Sequence, residues 1–188
     1  NHAVSNFAND FTTSFKPSTI SDLELWLDAS DTSSLSHSSN AVSIWQDISG
    51  NGYEAVQSTV ANRPTTGSTS TNSLNTLSFD GTDDGLDLAR DVNKPAINLF
   101  VLLKGHGYLL SNNGTERTAF FDAGSGRKLY WHVNNVSKAA GSAVTGYSDS
   151  AYQIHEYSLN GGLLTLRVNG IERFQSSNVT GNLKVDRI

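Results

Sequence analysis

The chain has 188 residues, a formal net charge of -5 and charged residues at only 16% of the total. That length suits one domain burying roughly two thirds of the surface its unfolded form exposes, so a core needs no disulfide or metal to support it. With no cysteine, thiol chemistry, disulfides and cysteine-type zinc sites are excluded. The acidic balance, without a basic stripe, leaves nothing to neutralise phosphates, so no nucleic-acid partner is expected.

No apolar run approaches the roughly 18 residues of a membrane span, and no signal-peptide pattern opens the chain. The sequence starts with Asn1 and contains no methionine, which leads us to expect a processed or excised piece of a longer product. Small uncharged polar residues dominate, as is common in secreted β-proteins and virion proteins.

Residues 1–20 read as an N-terminal arm or linker ending at Lys16-Pro17-Ser18. Phe7, Phe11 and Phe15 recur every fourth residue. On a short helix they would share one face, and so marginal a helix needs something to dock against. Either the rings tuck onto their own domain, or the arm docks on a neighbouring subunit.

From Ser21 onward the pattern is short alternation broken by turns. "LELWLDA" places Leu23, Leu25, Leu27 and Ala29 on one face, and "TLSFDG" and "GLDLA" do the same with Leu77, Phe79, Leu86 and Leu88. Residues 58–73, "STVANRPTTGSTSTNS", read as a long polar loop in which Pro64 disfavours a central strand. "INLFVLLKG", Ile97 to Gly105, is apolar on both faces and reads as a central strand. "KLYWHVN" alternates Leu129, Trp131 and Val133 with Tyr130 and His132. Two turn signals, Asn160-Gly161-Gly162 and Asn169-Gly170, sit between alternating strands and predict tight hairpins. Many short strands and almost no helical period predict an all-β, two-sheet antiparallel β-sandwich of jelly-roll type.

Five segments in order then carry a resemblance: "LELWLDASDTSSL", "VSIWQDISGNGYEAVQ", "ANRPTT", "LSFDGTDDGLDL" and "LLTLRVNGIE". Together they resemble the laminin-G-like branch of the concanavalin A-like lectin/glucanase superfamily, as found in bacterial surface proteins and phage or viral structural proteins. The likeness covers about Asp22 to Ile188 and makes 21–188 the sandwich domain. It implies one more strand after "LKVDRI", beside the first, so the domain is expected to lack its final strand. It also implies calcium in many members.

Several residues are candidates for function. Asp47 and Asn51 bracket a glycine turn, either as cation ligands or as Asx residues bonding their own backbone. Asp80, Asp83, Asp84 and Asp87 crowd one hairpin; Asp83 and Asp84 join Asp47 and Asn51 as the candidate Ca²⁺ set, and a solvated acidic hairpin is the alternative. Tyr53, Tyr108, Trp131 and Tyr147 are the aromatic candidates for stacking on a sugar, whereas Trp26 and Trp45 read as core. Gln153-Ile154-His155 matches a tripeptide of jelly-roll alginate lyases, but the Arg-rich and Tyr-Phe-Lys-rich strands of those enzymes are absent. The superfamily's glucanase pattern Glu-x-Asp-x-x-Glu, which pairs two carboxylates for glycoside hydrolysis, is absent too, so no catalysis is expected.

The function expected is recognition or adhesion: a non-catalytic module binding a glycan or surface protein, extracellular, on a cell surface or on a virion. The alternative is structural: decoration, cement or fibre of a virus or phage particle, docking on neighbouring virion subunits through the arm and a sheet edge. Either function suits a homo-oligomer or part of a larger assembly.

Overall fold

The computed structural model describes residues 17–105, 107–112, 116–122, 128–133, 136–139, 148 and 150–188; from 106 to 147 the side chain of Leu110 alone is described. Phe7, Phe11, Phe15 and Tyr147 therefore lie outside the described residues, as do the side chains of Tyr108 and Trp131. Among the described residues there is no α-helix, only 3-10 turns and strands.

Short segments with alternating side chains fold here as strands because one face of each has a core to meet. They are β1 (Leu35–Ser38), β2 (Ala41–Trp45), β3 (Ala55–Val56), β4 (Thr65–Thr71) and β5 (Leu74–Ser78). Next come β6 (Asp87–Lys94), β7 (Ile97–Leu103), β8 (Gly107–Asn112), β9 (Glu116–Asp122) and β10 (Lys128–Val133). The last five are β11 (Val136–Ala139), β12 (Gln153–Asn160), β13 (Leu163–Val168), β14 (Ile171–Ser176) and β15 (Leu183–Arg187).

The strands form two antiparallel sheets, as the alternation predicts. The larger runs β11-β10-β9-β8-β15-β6-β3-β2-β4-β5, with β1 also on β2; the smaller runs β14-β13-β12-β7. The core gathers the inward residues of both. Tyr157 and Leu159 of β12, Leu164, Leu166 and Val168 of β13, and Leu183 and Val185 of β15 join Leu86, Leu88 and Val92. Each fully buried leucine contributes about 2 kcal/mol. Trp45 packs against this cluster from its margin; Trp26 is half-buried and is not a member of it.

The two turn signals become hairpins. β12 returns as β13 through Gly161 and Gly162, and β13 as β14 through Asn169 and Gly170, all four with positive φ.

Three segments depart from expectation. Residues 58–73 are not one polar loop: after a 3-10 turn at Val60–Asn62, threonine-rich β4 pairs with β5. Pro64, fully buried, sits just before that strand, where its missing N–H costs no ladder bond. β7 is not central: among the described residues it pairs with β12 alone. Finally, Leu23–Ala29 forms no strand ladder, although Leu25 and Leu27 do pack against the core.

Candidate recognition site at the sheet rim

Leu23–Ala29 lacks a ladder because side chains of one loop take its backbone groups. That loop follows β2 and reads Gln46-Asp47-Ile48-Ser49-Gly50-Asn51-Gly52-Tyr53. Asp47 Oδ1 accepts from the Trp26 amide at 3.0 Å and the Ser49 amide at 2.9 Å. Its Oδ2 accepts from Ser49 Oγ at 2.8 Å and the Tyr53 amide at 3.1 Å. One carboxylate thus closes its own turn and ties the turn to a segment 21 residues earlier. Asn51 Nδ2 donates to the carbonyls of Leu23 at 2.8 Å and Glu24 at 3.0 Å. Gly50 and Gly52, at φ +89° and +76°, supply the left-handed backbone that lets the turn reverse.

A second set of contacts braces the loop from β6. Glu24 pairs with Lys94 at 2.8 Å and accepts from the Tyr53 hydroxyl. Arg90 donates to the Asn51 carbonyl at 2.9 Å and lies over the Tyr53 ring, 4.8 Å from its centre. The Lys94 hydrogen bond, then that of Tyr53, holds the Glu24 carboxyl below its ordinary value, and the same Glu24 bonds push the Tyr53 hydroxyl and the Lys94 ammonium up. For Asp47, burial works to raise the carboxyl, but the amides of Trp26, Ser49 and Tyr53 outweigh it and hold it below 3.8.

The expectation of an exposed Tyr53 ring is corrected. The residue is 6% exposed and belongs to the core cluster; Arg90 lies over its ring and Glu24 holds its hydroxyl. What the loop shows to solvent is Gln46, Gly50, Asn51 and Gly52, with Arg90 beside the last three.

The acidic segment after β5 is a separate feature, and it is a loop rather than the expected hairpin, because β5 and β6 do not pair. Asp80 Oδ1 accepts from the amides of Thr82 at 2.8 Å and of Asp83 and Asp84 at 3.3 Å, while Asp84 Oδ2 accepts from the Asp80 amide at 2.9 Å. Carboxylate oxygens of Asp80, Asp83 and Asp84 come within 4.8 Å of one another. The Thr82 amide bond leads in holding the Asp80 carboxyl down, whereas burial, with the charges of Asp80 and Asp83, pushes Asp84 up. Of the four residues expected to ligate calcium, Asp83 and Asp84 are brought together with Asp80, a set of hard oxygen donors that fits Ca²⁺. Among the described residues Asp47 joins no acidic group of three, and amide and hydroxyl donors engage both its oxygens.

Gln153 and His155 project inward from β12 and are buried, His155 completely. His155 Nδ1 lies 3.2 Å from the Tyr157 hydroxyl, and Gln153 Oε1 accepts from the Ser148 amide at 2.8 Å. Burial lowers the His155 imidazole to about 4.

Sequence reasoning found the Asx turn from its Asp-x-Ser-Gly-Asn-Gly signature. It missed the Glu24, Arg90 and Lys94 brace, whose members are up to 70 residues apart and belong to no local pattern. No family model, curated protein or solved structure matches the chain.

Proposed function

We propose that this sandwich is a non-catalytic recognition module of the laminin-G-like kind, displayed extracellularly, on a cell surface or on a virion, and that it meets a glycan or a surface protein at its rim. The observation that supports this reading is the wiring of residues 46–53. A loop that spends its own carboxylate, amide and hydroxyl on holding itself still, and leaves exposed amides and a guanidinium outermost, is ordered before any partner arrives. Such preorganisation lowers the entropy lost on binding. Individual contacts of this size are weak, so the module works by multivalency. The calcium that the resemblance implies belongs, in this reading, at Asp80, Asp83 and Asp84.

A glycan array probed with multivalently displayed protein, with and without EDTA, tests the proposal. Binding to a defined glycan class is expected, and its loss in EDTA and in Asp83→Asn would assign the cation. A blank array at high valency overturns the glycan reading, and EDTA-insensitive binding removes calcium from it.

The structural alternative, a component of a particle or fibre that docks on its neighbours, is favoured by a different observation: among the described residues β7 pairs on one side only, with β12.

A further inference from the structure

Every open sheet needs its outermost strands protected against pairing with other chains, and the usual devices are charge, proline, bulges or shortness. Four of the edge strands here have one. β14 carries Glu172 and Arg173 and a register shift against β13. The β4–β5 ladder is broken by a shift between Thr66 and Ser70, and β1 by one between Ser36 and His37. β11 is four residues long and contains Lys138. β7, which among the described residues pairs with β12 alone, has none of these. Its seven residues, Ile-Asn-Leu-Phe-Val-Leu-Leu, include no charge and no proline, and its register with β12 runs without a shift from Leu103 to Ile97.

Two of the three residues on its outward face are apolar, the third being Asn98. Phe100 is 63% exposed and Leu102 58%, and Ile154, directly opposite Leu102 on β12, is 50% exposed. The inward face, Ile97 and Leu99, packs on the core. A side chain such as Phe100 on the solvent face of an unprotected edge marks an interaction surface rather than scattered surface hydrophobicity.

We infer that β7 pairs antiparallel with β7 of a second copy of this chain, joining two four-stranded sheets into one of eight. The strand's own charge pattern selects that occupant. An acidic or basic peptide finds no counter-charge between Ile97 and Leu103, whereas a second β7 brings no like charges into opposition. A two-fold axis through Phe100, the midpoint of the strand, sets Phe100 beside Phe100 of the copy and Leu102 opposite Asn98. Phe100, Leu102 and Ile154 of both copies then share one outward face. The interface is isologous and closes at two copies, which gives the recognition reading a source of avidity but rests on the strand edge and not on any ligand.

The absence of cysteine makes the test direct. The full chain is examined by sedimentation across a concentration series, as wild type and as the pair of charge variants Phe100→Lys and Leu102→Lys. In parallel, Phe100→Cys is oxidised mildly beside two controls at exposed positions, Val60→Cys and Ile171→Cys. The wild type is expected to dimerise, each lysine variant to weaken the dimer at least about tenfold while the melting midpoint of the dilute monomer stays unchanged, and Phe100→Cys alone to cross-link quickly. A wild type that stays monomeric at every concentration, or controls that cross-link as fast as Phe100→Cys, overturns the inference. A monomer that still binds a glycan removes the pairing and leaves the recognition reading. A dimer with a blank array does the reverse.

Discussion

Asp47 ties its own loop to the Trp26 segment through one carboxylate, so its truncation has a cost that can be stated in advance. Asp47→Ala strands the amides of Trp26, Ser49 and Tyr53 in half-buried surroundings, and we expect it to destabilise the fold by about 2–3 kcal/mol in urea unfolding. A change within a few tenths of zero would mean that water replaces the carboxylate freely. Because the amides hold this carboxyl below 3.8, its contribution is present above that pH and fades as acid protonates it. Asp47 was legible in the sequence as a turn residue, since an Asx side chain bonds backbone two residues on. Its bond to Trp26 was not, because nothing local to either residue reports a contact across 21 positions. Tyr53 misled for a related reason. A tyrosine beside glycine reads as an exposed loop ring, and nothing local reports the distant partners Glu24 and Arg90 that hold its hydroxyl and cover its ring.

At the scale of elements, hairpins were the most legible feature, because their turns depend on two residues only. Asn169 and Gly170 adopt φ +52° and +76°, and Asn169 Oδ1 also accepts from the Ile154 amide at 2.9 Å. Gly170→Ala forces a Cβ into the left-handed region and should cost about 1–2 kcal/mol. Asn169→Ala loses both the tolerated conformation and the bond, and should cost at least as much, as read by thermal unfolding. Equal melting midpoints for wild type and both variants would contradict this turn geometry. β7 was misread because a continuous apolar run looks the same whether its second face meets protein or solvent; composition reports the strand and not its neighbours. The misreading of residues 58–73 has a different source. Pro64 and the serine-threonine richness were given the weight of loop signals, yet threonine is β-branched and suits a half-exposed strand, and proline is tolerated just ahead of one.

For the whole molecule, two stacked layers followed from alternation alone, while the order of strands within them did not, since β15 is inserted between β6 and β8 from the far end of the chain. The packed interior also holds a titratable group that affects the entire fold. His155 is completely buried and its imidazole is lowered to about 4, against 6.5 when exposed. The unfolded chain therefore takes up a proton between those values while the folded chain does not. Stability is full above pH 6.5 and declines as the pH falls toward 4, by at most about 1.4 kcal/mol per pH unit. His155→Gln should flatten that decline even if it lowers the melting point throughout; a slope identical to wild type would show that His155 is charged or solvated in the fold.

Recognition at the rim depends on residues 46–53 being held in place by Asp47 before a ligand binds, and amide hydrogen exchange resolved at Trp26, Ser49 and Tyr53 measures that directly. In the wild type these three amides are expected to exchange at least about a hundredfold more slowly than in an unstructured chain, and in Asp47→Ala to lose that protection while β12 and β13 keep theirs. Exchange at unprotected rates in the wild type would contradict the account, because a loop that opens freely presents no fixed surface.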